Sequence, residues 1–177
     1  MRKHKIDVMI SKEEINKKVI ELAKEIEKDL VGSDNELICI GLLKGSAIFM
    51  GDLIREINHP MKMDFMSVSS YGSSMETSGV VKILKDVDED VEGKDLLIVE
   101  DIIDSGLTLN YVTKFLLNKG AASVKICTLL DKPYRRKAEV PVDYVGFVIP
   151  NEFVVGYGID YAELYRNLPY IGKVTLL

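Results

Sequence analysis

The chain has 177 residues, 47% of them hydrophobic and 29% charged, with a net charge of -5 at pH 7. That length suits one good-sized core and argues against two domains. The acid excess argues against an electrostatic nucleic-acid binder, which needs a basic face to neutralise phosphates.

Arg2, Lys3 and Lys5 open the chain, but Asp7 interrupts the run from Ile6 to Ile10 and no long apolar stretch follows, so neither a signal peptide nor a membrane span is expected. Residues 6–10 read as a short edge strand. Ser11 and Glu14 form a capping box that opens a helix, with Ile15, Val19, Leu22, Ile26 and Leu30 as its apolar stripe and Gly32 as its stop. Residues 36–43 read as a buried strand running into Lys44-Gly45-Ser46, followed by a helix whose expected inward face is Ile48, Phe49, Leu53, Ile54 and Ile57. At such a turn a lysine and a glycine suit an anion; they also suit a plain helix start with a solvated charge.

Residues 62–71 alternate in part and read as a strand. The following Gly72-Ser73-Ser74-Met75-Glu76-Thr77-Ser78-Gly79 has almost nothing to bury, so it is an idle hairpin loop or a lid over a ligand. Residues 80–84 are the return strand. Asp86-Val87-Asp88-Glu89-Asp90 lacks the glycine and glutamate that a calcium loop requires and reads as a solvated turn.

Leu96-Leu97-Ile98-Val99 is a short apolar run after the Gly93-Lys94-Asp95 turn, and helical periodicity follows Thr108. Glu100, Asp101 and Asp104 therefore fall between a strand's carboxyl end and a helix. Ser105-Gly106-Leu107-Thr108 offers backbone N–H groups and two hydroxyls at that helix's amino terminus, where the dipole favours a phosphate. Leu109, Val112, Phe115 and Leu116 form the buried stripe, and Gly120 closes the helix.

Residues 124–130 are the next buried strand and residues 144–150 another. Strand, helix and strand at this spacing predict an α/β fold, a parallel sheet with helices on both faces and ligands at the strands' carboxyl ends. Lys44, the central acids and Asp131-Lys132-Pro133 all fall at such ends. Cys39 and Cys127 sit inside apolar runs, as small hydrophobes in a reducing cytoplasm. Residues 153–160 are aromatic- and glycine-rich, and a short helix carrying Arg166 is expected after them. On their own, Phe153 reads as a core aromatic, Asp160 as a cap and Arg166 as a surface charge. His4 and His59 organise no site.

The string VEDIIDSGLTL, residues 99–109, resembles the phosphoribosyl-pyrophosphate binding motif of the type I phosphoribosyltransferases. With LLKGS (42–46), SYG (70–72), LLDKP (129–133) and FVVGYGIDYAELYRNLPYIG (153–172), the chain from about Ile6 onward is similar to the hypoxanthine(-guanine) phosphoribosyltransferases within that family. The resemblance implies a twisted, mainly parallel sheet, a small hood from about residues 1–12 and 150–177, and a flexible lid loop, all in one domain. It implies transfer of the 5-phosphoribosyl group from 5-phosphoribosyl 1-pyrophosphate to hypoxanthine, and to guanine as well, with Mg2+, in a cytoplasmic dimer or tetramer.

It also implies roles, residue by residue. Glu100 and Asp101 hold the ribose hydroxyls and magnesium, and Asp104 is the general acid or base at the purine ring nitrogen. Ser105, Gly106, Leu107 and Thr108 cradle the 5-phosphate. Lys44, Gly45 and Arg166 meet pyrophosphate, with a cis peptide at Leu43-Lys44. Lys132 donates to the 6-oxo group, Phe153 stacks on the purine, and Val154 meets its edge through the backbone. Asp160 holds a second magnesium, and Ser70 and Tyr71 belong to the lid. The competing class is a nucleic-acid-binding regulator that keeps the sugar-pyrophosphate site; the net acidity, the presence of Asp104 and the lack of room for an added domain speak against it.

Overall fold

A computed structural model describes residues 3–70 and 81–177. Nine strands form two sheets among these residues. The larger uses β2 (Leu37–Leu43), β3 (Lys62–Ser70), β4 (Val81–Lys85), β5 (Asp95–Ile103), β6 (Ser123–Asp131) and β7 (Tyr144–Val148), in the order β4-β3-β2-β5-β6-β7. All its pairings are parallel except β3 with β4. The smaller sheet joins the chain's two ends: β9 (Ile171–Leu176) lies between β1 (His4–Ile10) and β8 (Val154–Val155), antiparallel to both.

Period-two alternation divides the core. Leu37 and Cys39 on β2, Leu97 and Val99 on β5, and Cys127 and Leu129 on β6 pack against α1 (Lys12–Leu30) and α2 (Ala47–Glu56). Ile38, Ile40 and Leu42, Leu96 and Ile98, and Ile126 face α3 (Leu107–Asn118). Strands buried on both faces read as unbroken apolar runs, so they are visible in the sequence.

Helix α1 begins as expected. Ser11 Oγ accepts from Glu14 N at 3.2 Å and Glu14 returns the bond to Ser11 N at 2.8 Å. Four of its five stripe residues are buried, with Leu30 partly so. On α2 the inward residues are Phe49, Met50 and Leu53, with Ile57 at the carboxyl end. Ile48 points outward instead, because the helix starts at Ala47 and its buried arc is set from Phe49. The acidic run 86–90 is also less free than a solvated turn. The buried Asp64 carboxylate accepts from Asp88 N and Glu89 N at 2.7 and 3.0 Å, while Asp86, Asp88 and Glu89 pair with Lys119, Lys85 and Lys62.

The expected helix around Arg166 is absent. Residues 161–170 are turns tied by a Tyr161–Leu164 bridge, and Ala162, Glu163 and Tyr165 have positive φ, a conformation no α-helix admits. The expected strand before the lid segment is present to Ser70. Tyr71 and the loop beyond it to residue 80 lie outside the described residues.

Candidate active site

Strand β5 does not end before its acids. It continues to Ile103, paired with β6, so Glu100 and Asp101 are strand residues at the sheet's carboxyl edge. Successive side chains on a strand point to opposite faces. Glu100 accordingly lines a cleft of about 340 Å3 with Asp104, Ser105, Gly106 and Thr108, whereas Asp101 turns toward the β2–α2 connection. A Cβ on Gly45 would lie 1.8 Å from Asp101 Oδ2, so only glycine fits there. Gly158 closes the stack with φ +104, where its own Cβ would sit 2.0 Å from the Gly45 carbonyl. Strand β5, the turn after β2 and the loop at residues 156–166 thus meet at one place. The Leu43-Lys44 peptide in that turn is cis.

The two adjacent carboxylates are electrostatically uncomfortable. Burial first, and then the neighbouring Asp101, push the Glu100 carboxyl well above its ordinary range. Burial raises Asp101 to about 6, against a hydrogen bond from Ile102 N and the nearby Arg166 charge, with Asp160 adding to the rise. Carboxylates held this way favour a cation or a hydroxyl donor.

Helix α3 starts at Leu107, two residues before the sequence periodicity. Its amino end contrasts with that of α1. The N-cap is Gly106 in the left-handed conformation, φ 77, which provides no capping side chain, and Ser105 Oγ accepts a long bond of 3.4 Å from Leu107 N. Donors at this end remain available to an anion at the positive end of the dipole.

The loop is shaped from outside by a segment that sequence reasoning passed over. Ser105 O accepts from Lys137 N and Ala138 N at 2.8 and 3.1 Å, and Arg136 Nη1 donates to Asp104 O at 3.1 Å while its Nη2 pairs with Asp131. A Cβ on Gly106 would come within 2.9 Å of the Ala138 carbonyl. The signal was the basic run Arg135-Arg136-Lys137, one residue beyond LLDKP, which in sequence looks like solvated charge.

Asp104 itself faces Arg135, whose Nε lies 2.5 Å from Oδ1. The contact is an ion pair without the alignment of a hydrogen bond, so Oδ1 has no hydrogen-bond partner. Lys132 follows β6, with its backbone N bonded to Ile103 O at 3.0 Å, which fixes it beside β5. It is buried, and Nζ donates to Glu152 O at 2.6 Å. Burial lowers its pKa, with Asp104 acting in the opposite direction. Phe153 is no core aromatic: it is 47% exposed and meets Tyr161 edge to face, centroids 5.1 Å apart. Val154 is buried in β8.

Both oxygens of Asp160 are engaged, Oδ1 with Arg166 Nη2 at 2.8 Å and Oδ2 with Glu163 N at 2.8 Å. Arg166 Nη1 donates to Gly158 O at 2.8 Å, and its Nε is buried without a partner. Lys44 Nζ reaches Glu163 at 3.1 Å. Arg166 is therefore anchored on the site loop and is not the surface charge its residue type alone suggests.

Among the described residues, no group of three or more histidine, cysteine, aspartate or glutamate side chains stands ready to hold a metal. Glu100, Asp101 and Asp160 do not converge into one such cage. One or two carboxylates completed by water and substrate oxygens is, however, the donor set that magnesium prefers, and a single carboxylate at the end of β5 is enough to begin it.

A parallel sheet carrying acids, a glycine turn and an open helix terminus at its carboxyl edge defines a binder of phosphorylated ligands. The phosphoribosyl transferase domain family matches residues 10–162, and the chain belongs to it. It is 57% identical over 175 residues to a hypoxanthine phosphoribosyltransferase of Salmonella typhimurium, covering 99% of this chain and 98% of that protein. It is also 57% identical over 173 residues to a hypoxanthine-guanine phosphoribosyltransferase of Bacillus subtilis, covering 97% and 95%. Among solved structures, a hypoxanthine phosphoribosyltransferase of Staphylococcus aureus superposes with a TM-score of 0.91 at 49% identity, covering 96% of this chain and 91% of that one. No helix among the described residues is long and apolar enough to cross a membrane.

Proposed function

We propose that this chain is a purine salvage enzyme that transfers the 5-phosphoribosyl group from 5-phosphoribosyl 1-pyrophosphate to hypoxanthine, and to guanine, releasing pyrophosphate. The observation that carries this reading is the convergence at the carboxyl end of β5. Uncomfortable carboxylates, an uncapped helix terminus and a glycine turn meet there, beside a lysine and a half-exposed aromatic ring.

The 5-phosphate docks on the N–H groups and hydroxyls of residues 105–108. Glu100 and Asp101 take the ribose hydroxyls and would hold the Mg2+ around them, and Asp160 would hold a second Mg2+. Bound magnesium neutralises charge on the pyrophosphate leaving group. Lys44, Gly45 and Arg166 receive that group. As the bond to the anomeric carbon breaks, the sugar becomes oxocarbenium-like, and the carboxylates beneath it stabilise the positive charge. Asp104 exchanges Arg135 for the purine and takes the proton from the attacking ring nitrogen as general base.

Phe153 stacks on the purine and Val154 meets its edge through backbone groups. Lys132 has three N–H donors and gives one to Glu152 O. A 6-oxo group accepts another, whereas the 6-amino group of adenine opposes donor to donor. The lid from Ser70 and Tyr71 excludes water, which competes for the activated sugar. The fold acts as one catalytic domain, the small sheet with residues 1–12 and 150–177 forming the hood, in a cytoplasmic homo-oligomer, a dimer or tetramer.

The test is a competition assay with hypoxanthine, guanine, xanthine and adenine, reading pyrophosphate release. Turnover of hypoxanthine and guanine with adenine at least about 100-fold slower supports the reading. Equal use of adenine would refute the role of Lys132.

A further inference from the structure

The two cations assigned to pyrophosphate are not free in this structure. Glu163 lies between them, with Oε2 at 3.1 Å from Lys44 Nζ and Oε1 at 3.4 Å from Arg166 Nη2. The loop aims it there. Glu163 has φ 65 and Ala162 φ 52, and Glu163 N donates to Asp160 Oδ2 at 2.8 Å, which turns the backbone toward the strand end. Left-handed backbone at two consecutive residues with side chains is sparsely populated, and it is held by the bridge between Tyr161 and Leu164.

We infer that Glu163 is a resident competitor of pyrophosphate, its carboxylate standing between Lys44 and Arg166 until the ligand displaces it and returning when the ligand leaves. The inference rests on the pyrophosphate site proposed above. Lys44 first, and Arg166 with it, hold the Glu163 carboxyl below its ordinary range, so it is an anion at neutral pH. Lys44 and Glu163 are 67% and 64% exposed. A pair so exposed is weak, so a multiply charged pyrophosphate exchanges for it readily. The carboxylate keeps the cations from holding the product tightly, and it screens them from stray anions between turnovers. Glu163 is a tuning residue: it sets the affinity for the leaving group without touching the purine or the 5-phosphate.

The experiment is calorimetric titration of sodium pyrophosphate, with magnesium chloride present, into the wild-type protein and Glu163→Gln, with IMP titrated in parallel. Removing the charge while keeping the size is expected to tighten pyrophosphate binding about three- to tenfold and leave IMP binding within twofold. Glu163→Asp, charged but one methylene shorter, is expected to fall between them. Unchanged or weaker pyrophosphate binding in Glu163→Gln overturns the inference, and so does an equal gain for IMP. If neither protein binds pyrophosphate at millimolar concentration while IMP still binds, the pyrophosphate site itself is wrong.

Discussion

Strand β5 carries acids at both of its ends, and the two ends are treated in opposite ways. At the amino end Asp95 accepts from Ser123 Oγ at 2.6 Å and Ser33 Oγ at 2.9 Å. Burial works to raise its pKa, but these hydroxyls, together with Asn35 and Lys125, outweigh it and hold the carboxyl below its ordinary range. The adjoining pocket has the same character, because Asp29 there is already bonded to Tyr144 and Lys125. At the carboxyl end, Glu100 and Asp101 point to opposite faces of the strand and the carboxyls of both are pushed up. Carboxylates held down by hydroxyl donors fasten a structure; those pushed up are candidates for binding a ligand.

The largest expected effect lies just past the carboxyl end. Asp104→Asn keeps the shape and removes the base, so hypoxanthine-dependent pyrophosphate release, measured at saturating substrates, should fall about 100-fold or more. A rate within a few-fold of wild type would break the assignment.

Next comes the pH dependence of stability, which should have opposite sign at the two ends. Asp101 has a folded-state pKa of about 6, above its ordinary 3.8, so the folded protein holds the proton more tightly than the unfolded chain. Its contribution is complete below about pH 4 and lost as pH rises through 6. Asp101→Asn should therefore match wild type at pH 4 and exceed it by roughly 2 kcal/mol at pH 7.5 in urea denaturation, after allowance for screening. Asp95 is lowered, so its contribution is present above its ordinary pKa and lost as pH falls through the folded value. Asp95→Asn should be less stable than wild type by roughly 1 kcal/mol at pH 7.5, with the deficit shrinking toward pH 3.

The difference between the ends also shows what sequence can convey. Parallel strands buried on both faces announce themselves as apolar runs, and the Ser11 and Glu14 box is a local code, so the sheet, α1 and the acid motif were legible. The helix expected around Arg166 was not real. Its turns rest on positive φ values held by contacts with Gly158 and Asp160, and residue type does not encode these. Residues 135–138 were missed for a related reason: their work is done largely by backbone N–H groups, which every sequence has. The outward turn of Ile48 depends on one residue of helix phase.

The contrast between the two ends of β5 is tested most directly by thermal melting with and without 5-phosphoribosyl 1-pyrophosphate and magnesium, on wild type, Asp101→Asn and Asp95→Asn. Ligand at about 100 times its dissociation constant adds about 2.7 kcal/mol, which for a chain of this size is a rise of roughly 5–10 °C. Asp95→Asn should start lower and keep the full rise, and Asp101→Asn should lose more than half of it. A full rise in Asp101→Asn, or a lost one in Asp95→Asn, would contradict the account.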